Sequence, residues 1–240
     1  MKKKRYLRVS ITGIDGVGKT SAIHALLTHF APTDVAVRYL PVDTEKKDVF
    51  SWIDGILEKI WLFSEKRGWK FILSLLYPIA TLLYKPSCLL RFSFGREPRI
   101  LINHRDPIID SSVYVDFYWG CIVKILRLSQ SAKIKWAKQI ILEDLPDIVI
   151  LLETDPEIAL ARIETRIKER KLEELQSPKS VKHFHETKKT LRELQAAFKE
   201  VLWEAKRIKP SMEVYCLNTE RLSPKAIGFL VARIIKAKTA

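Results

Sequence analysis

The chain has 240 residues, 47% of them hydrophobic, so one α/β domain with insertions can bury a large core. Its formal charge of +14 suits an anionic ligand or surface, whether nucleotide, nucleic acid or acidic lipid, and equally suits a solvated helical surface. Three widely spaced cysteines (Cys88, Cys121, Cys216) argue against a disulfide framework or a cysteine zinc site, and favour a reducing, cytoplasmic compartment.

The first elements follow from the amino terminus. Basic residues 2–5 lead directly into the apolar run 6–11, which is typical of a first strand rather than a signal peptide. A glycine-rich turn follows, and apolar residues at helical spacing predict a helix over 19–30. After Pro32, residues 35–40 predict a second strand, so the chain opens as strand, loop, helix, strand.

An apolar, aromatic insertion occupies about residues 50–95, where we predict two helices broken near Gly68. Its longest uncharged stretch, 71–84, contains Pro78 and is shorter than the roughly 18 to 20 residues needed to span a bilayer. A buried helix accounts for the pattern. The flanking basic residues also leave open a membrane surface or a hydrophobic partner.

Strands and helices alternate in the rest of the chain. The predicted strands are 100–103, 148–152 and 214–217, and the predicted helices are 111–128, 132–143, 156–172, 182–207 and 224–237. Continuous apolar runs such as 148–152 are typical of strands buried on both faces. We therefore predict one α/β domain over 1–240, with a parallel five-stranded sheet flanked by helices.

The turn after the first strand carries the most specific motif of the chain. Residues 13–20, Gly-Ile-Asp-Gly-Val-Gly-Lys-Thr, match the phosphate-binding loop pattern G-x-x-x-x-G-K-[ST] between a predicted strand and a predicted helix. Glycines let backbone N–H groups converge on phosphate oxygens at the helix amino terminus. The motif makes the predicted α/β fold of the P-loop NTPase type. It also predicts ATP binding with Lys19 on the β- and γ-phosphates and the Thr20 hydroxyl on Mg²⁺. The cofactor-binding residues are Gly13, Ile14, Asp15, Gly16, Val17, Gly18, Lys19 and Thr20.

With this loop, the sequence resembles the thymidylate kinase family of nucleoside monophosphate kinases, whose loop commonly reads G-x-D-G-x-G-K-[ST]. Residues 146–153 followed by 155–162 resemble that family's fourth strand and the start of its lid region, and 184–198 resemble the helix after the lid. The resemblance covers about residues 7–30 and 98–236. It implies a small helical lid near 163–181, transfer of a phosphoryl group from ATP to dTMP or a similar nucleotide, and a requirement for Mg²⁺.

The resemblance also implies roles for individual residues. Asp15 meets the sugar 3′-hydroxyl of the acceptor, and Arg105 grips the acceptor phosphate. Gly16 stands where some members carry a catalytic arginine, so the arginine is expected from the lid, with Arg166 chosen over Arg162 and Arg170. His104 replaces the family's carboxylate at the end of the third strand, and whether Asp106 takes over its work stays open.

The acceptor is the least determined part of this hypothesis. The family's R-E-P-G-G-T segment is missing after the second strand, and its thymine-facing helix is unrecognisable in the apolar insertion. A deoxynucleoside kinase is an alternative, with Asp43 as a conceivable base, and a kinase-like enzyme acting on a lipid or glycan precursor is another. A non-enzymatic nucleic-acid-binding protein is the third alternative, although we expect no stable nucleic-acid partner. A homodimer stays open.

Overall fold

The computed structural model describes residues 6–31, 34–39, 99–118, 129–141, 143–173 and 187–239. Within these residues, five strands form one parallel sheet flanked by helices, which confirms the predicted α/β class. The strands are β1 (Leu7–Thr12), β2 (Val35–Tyr39), β3 (Ile100–His104), β4 (Ile148–Glu153) and β5 (Glu213–Asn218). The helices are α1 (Lys19–Leu27), α2 (Ile109–Tyr118), α3 (Gln130–Ile141), α4 (Pro156–Glu173), α5 (Lys188–Ile208) and α6 (Pro224–Thr239).

The strand order is β2-β3-β1-β4-β5, so β1 is the central strand. The chain leaves β1 towards β2 on one side, whereas it leaves β4 towards β5 on the other side. Ligands of open parallel sheets bind where neighbouring connections diverge in this way, at the carboxyl ends of the strands. The glycine-rich loop after β1 therefore lies at the position of the sheet that is best suited to a ligand.

Side chains of β1 alternate between the two faces of the sheet. Val9 and Ile11 are fully buried in the hydrophobic core, whereas Ser10 and Thr12 form buried hydrogen bonds to Asp106 and to an aspartate of α2. Helix α1 packs against α6, and α2 packs against α3 and α5. The sheet thus has a largely apolar face and a face with a polar layer near the carboxyl end of β1.

The predicted elements agree with the observed ones to within a few residues where both can be compared. The helix predicted over 132–143 ends earlier, at Ile141, and Glu143 lies beyond it. There its carboxylate accepts hydrogen bonds from Arg8 of β1 and Arg38 of β2, with N–O distances of 2.9–3.0 Å. This ion-pair cluster joins two strands to the connection before β4.

Several predictions lie outside the described residues. These are the two helices of the 50–95 insertion with its proposed membrane or partner surface, and the second half of the proposed lid, residues 174–181. The first half of that lid, 163–173, continues helix α4. Among the described residues, no helix is long and apolar enough to cross a membrane.

Candidate functional site

The loop between β1 and α1 has the backbone that its glycines predict. Gly13, Gly16 and Gly18 all have positive φ angles, and Gly18 caps the amino terminus of α1 without a side-chain hydrogen bond. The first turn of α1 carries no acidic side chain. Among the described residues, the N–H groups of Gly16, Val17 and Gly18 donate no hydrogen bond. A helix terminus of this kind attracts anions, because its N–H groups and its dipole both favour negative charge.

The side chain of Lys19 folds back onto the loop that precedes it. Its Nζ donates hydrogen bonds to the carbonyl oxygens of Gly13 at 2.9 Å and Ile14 at 2.8 Å, and the side chain is almost fully buried. The same Nζ lies 3.6 Å from a carboxylate oxygen of Asp15. The loop therefore holds its lysine ammonium at the amino terminus of α1, where an anionic ligand would meet it.

Asp15 joins the loop to the end of β3. Its carboxylate pairs with the guanidinium of Arg105, which also donates a hydrogen bond of 3.1 Å to the Tyr114 hydroxyl. Arg105 adopts a left-handed backbone with φ of 68°, which is unusual for a residue other than glycine and directs its side chain from the strand end towards the loop. Three predicted site residues, Lys19, Asp15 and Arg105, are thus brought together.

Asp106 has a structural role as the cap of helix α2. One carboxylate oxygen accepts from the N–H groups of Ile108 and Ile109 at the start of α2, and the other accepts from Ser10 at 2.6 Å. An aspartate that caps a helix in this way has its oxygen atoms occupied. The sequence signal was present: Asp106 precedes Pro107, and aspartate followed by proline is typical of a helix start.

Asp110 is the buried acid that sequence analysis missed. Its Oδ2 accepts from the Thr12 hydroxyl and from the N–H of Asp106, both at 2.7 Å, and its Oδ1 lies 4.0 Å from Nη1 of Arg105. Burial raises the pKa of Asp110 to about 6, against the opposing effects of Arg105, the Thr12 hydroxyl and Lys19. Burial also raises the pKa of Tyr114, which keeps its hydroxyl protonated.

This raised pKa predicts a pH-dependent stability that the Asp110→Asn substitution removes. Folded Asp110 binds a proton at pH values where an unfolded aspartate, with its ordinary pKa of 3.8, has lost it. Its contribution therefore lowers the free energy of unfolding as pH rises from about 4 to 7, and the loss is complete about one unit above the folded pKa. Asparagine stays neutral. Urea unfolding should show the stability of the variant, relative to wild type, rising by about 2 kcal/mol between pH 4 and pH 7.

Only the change of the free energy of unfolding with pH is compared between the two proteins. Any pH-independent destabilisation by asparagine therefore cancels. Parallel pH profiles of the two proteins would mean that Asp110 titrates at its ordinary pKa in the folded protein.

The glycines of the loop differ in the space around them, which yields a second prediction. A Cβ on Gly16 would lie 2.3 Å from the carbonyl oxygen of Ala159 in α4, whereas a Cβ on Gly18 would meet no atom within 4 Å. Both have positive φ, so both substitutions strain the backbone by about 1–2 kcal/mol. Gly16→Ala must also displace a helix. We expect it to lower the free energy of unfolding by about 3 kcal/mol, against about 1 kcal/mol for Gly18→Ala, in urea titrations. Equal losses would contradict the close packing of the loop on α4.

Helix α4 carries the arginines that the resemblance assigns to the lid. Arg162 donates hydrogen bonds to the hydroxyl and the carbonyl oxygen of Thr219, at 3.2 and 3.0 Å, and so ties α4 to the segment after β5. Arg166 is exposed one turn further along α4. Arg162 therefore has a structural role, and Arg166 stays the candidate for a residue that meets a ligand.

Thr20 lies in the first turn of α1, on the open side of the loop. Its hydroxyl oxygen is 3.2 Å from Nε2 of His104, the last residue of β3. A threonine hydroxyl with phosphate oxygens and water is the kind of oxygen donor set that Mg²⁺ accepts. Among the described residues, no three His, Cys, Asp or Glu side chains form a metal-binding group.

The sequence matches no known protein-family model. No curated protein matches the chain at a significant level.

Proposed function

We propose that the chain is an ATP-dependent phosphotransferase that passes the γ-phosphoryl group to a nucleoside monophosphate, with dTMP as the acceptor that the family resemblance favours. The observation that carries the proposal is the loop at the carboxyl end of the central strand. Its glycines have positive φ, and its lysine ammonium lies beside the amino terminus of α1. Arg105 and Asp15, which form an ion pair beside the same loop, would contact the nucleoside monophosphate.

The donor would bind along the loop. Its phosphate oxygens would accept hydrogen bonds from the loop N–H groups, and the α1 dipole would add a favourable partial charge. Lys19 bonds two carbonyl oxygens of the loop, and its three ammonium hydrogens would be shared with a phosphate on binding. Bound Mg²⁺ would neutralise charge between the β- and γ-phosphates, and the Thr20 hydroxyl is the residue of this loop that suits it.

The acceptor phosphate would meet Arg105. A guanidinium can bind two phosphate oxygens at once. The guanidinium of Arg105 is held by its hydrogen bond to Tyr114 and its ion pair with Asp15. In the reaction, an acceptor phosphate oxygen forms a bond to the γ-phosphorus of ATP. The bond from that phosphorus to the bridging oxygen breaks, and ADP leaves. Because this chemistry needs little proton transfer, the protein contributes chiefly positioning and charge stabilisation.

Arg166 is the residue of α4 that suits the transferred phosphoryl group. Gly16 packs on α4 at Ala159, and Arg166 follows seven residues later, close to two full turns, so both lie on the same face of the helix. The axial separation is about 10 Å, and helical side chains lean towards the amino terminus. An arginine extended along α4 from this position would reach towards the loop.

The test is a coupled ADP-release assay with Mg·ATP and six acceptors: dTMP, dUMP, CMP, UMP, thymidine and deoxycytidine. We expect a monophosphate to raise ADP release well above the background hydrolysis of ATP, with dTMP the strongest. Turnover with a nucleoside alone would favour the deoxynucleoside kinase. No response to any acceptor, together with normal ATP binding, would leave a lipid or glycan acceptor or a non-enzymatic protein. In either case the nucleoside monophosphate kinase proposal falls.

A further inference from the structure

His104 occupies an unusual place for a histidine. It ends β3, is 3% exposed, and pairs in register with Ile11 of the central strand. Its ring lies on the face of the sheet that α1 covers, and its Nε2 meets Oγ1 of Thr20 at 3.2 Å. A nearly buried imidazole is therefore in hydrogen-bond contact with the hydroxyl that the proposed function assigns to Mg²⁺.

A hydrogen-bond partner can fix how a hydroxyl is oriented. A threonine hydroxyl has one hydrogen and two lone pairs, so it can donate to a ring nitrogen or accept from one. The contact with Nε2 leaves at least one lone pair of Oγ1 for a cation in either direction. What the contact fixes is the position of the oxygen.

We propose that His104 is a positioning residue whose Nε2 hydrogen bond with the Thr20 hydroxyl holds Oγ1 in place for the metal of the bound metal-nucleotide. This inference rests on the proposed function. It requires a hydrogen-bonding atom at the position of Nε2.

The nearby carboxylates are committed elsewhere. Asp106 caps α2 and Asp110 bonds Thr12, and both belong to the polar layer on the face of the sheet opposite α1. His104 is thus the side chain of this strand end that contacts the Thr20 hydroxyl. The reach of its hydrogen-bonding atom should therefore decide the effect of a substitution, which distinguishes two amide variants.

Glutamine and asparagine separate these requirements. The carbonyl oxygen of His104→Gln stands the same number of bonds from Cβ as Nε2, so it can accept from Thr20. The amide of His104→Asn reaches only the position of Nδ1. Both variants are neutral and polar, so they differ chiefly in whether an acceptor meets the hydroxyl. Thr20→Val removes the hydroxyl itself.

The experiment measures Mn²⁺ binding to the full chain with ADP, by electron paramagnetic resonance of free Mn²⁺, beside metal-free ADP binding by calorimetry. We expect His104→Asn to raise the Mn²⁺ Kd about tenfold and His104→Gln to stay within about threefold of wild type. Metal-free ADP binding should be unchanged in both. In a Thr20→Val background, His104→Asn should cause no further loss. His29→Ala, which removes an imidazole beyond the other end of α1, is the control.

The outcomes separate the two proposals. Wild-type Mn²⁺ affinity in His104→Asn, or equal losses in the asparagine and glutamine variants, would overturn the positioning role and leave the kinase proposal standing. A tenfold loss of metal-free ADP binding in His104→Asn would also overturn it, because His104 would then shape the loop rather than orient a hydroxyl. Absence of ADP binding by the wild-type protein, with or without Mn²⁺, would overturn both.

Discussion

Replacing Lys19 by alanine should lower the turnover of Mg·ATP with its acceptor by about a thousandfold, because a buried ammonium beside the phosphates stabilises charge that develops in the transition state. The lysine is nearly fully buried and already held at the loop by two carbonyl oxygens. Its side chain therefore loses little conformational entropy when a ligand binds. The measurement is kcat/KM for ATP in the coupled assay, together with ATP binding by calorimetry.

Lys209 offers a matched control for this substitution. Its Nζ also donates to two backbone carbonyl oxygens, those of Leu145 and Pro146, and it pairs with Asp147 at 2.8 Å. This lysine lies near the amino-terminal end of β4, whereas the loop lies at the carboxyl ends of the strands. Lys209→Ala should lower stability by about 1–3 kcal/mol while turnover stays near wild type. If the two variants lost turnover equally, the effect of Lys19 would be structural.

The fold was predictable to the level of its elements. Apolar runs such as Ile148–Glu153 are buried on both sides, and only parallel strands between helices bury them so completely. The order of the strands could not be read from the same pattern. A run of buried aliphatic residues does not specify which strands lie beside it in the sheet. The central position of β1 therefore depends on how all the helices pack.

The candidate site was predictable where its signal is local. The loop motif specifies glycines, a lysine and a hydroxyl at fixed spacing. The structure places the glycines between β1 and α1, and the lysine and the threonine in the first turn of α1. Asp110 was missed because its role depends on contacts with Thr12, 98 residues away along the chain. Its buried setting is nevertheless hinted at by the polar residues Ser10 and Asn103 at paired positions of two buried strands.

Arg162 shows the opposite limit of sequence reasoning. Arg162, Arg166 and Arg170 recur at intervals of four, so sequence alone treats them as equivalent members of one face. The structure distinguishes the first from the second, because Thr219 accepts both hydrogen bonds of Arg162. A partner 57 residues away cannot be inferred from helical spacing, so the choice between neighbouring arginines required the fold.

Arg166→Ala should lower kcat by about a thousandfold or more with a small change in the KM for ATP, because an arginine that meets the transferring phosphoryl group acts mainly in the transition state. Arg166→Lys should recover part of the loss, since lysine restores charge without the bidentate fork. Both are measured by initial rates with Mg·ATP and the best acceptor of the assay.

Arg162→Ala is the neighbouring control, and it separates charge at the phosphates from helix packing. Loss of its two hydrogen bonds to Thr219 should lower the free energy of unfolding by about 1–3 kcal/mol, with kcat within about tenfold of wild type. Near-normal turnover in Arg166→Ala would mean that α4 contributes no residue to the phosphoryl transfer. The stabilisation of the transferred group would then have to come from Lys19 and Arg105, the two cations that the structure places beside Asp15.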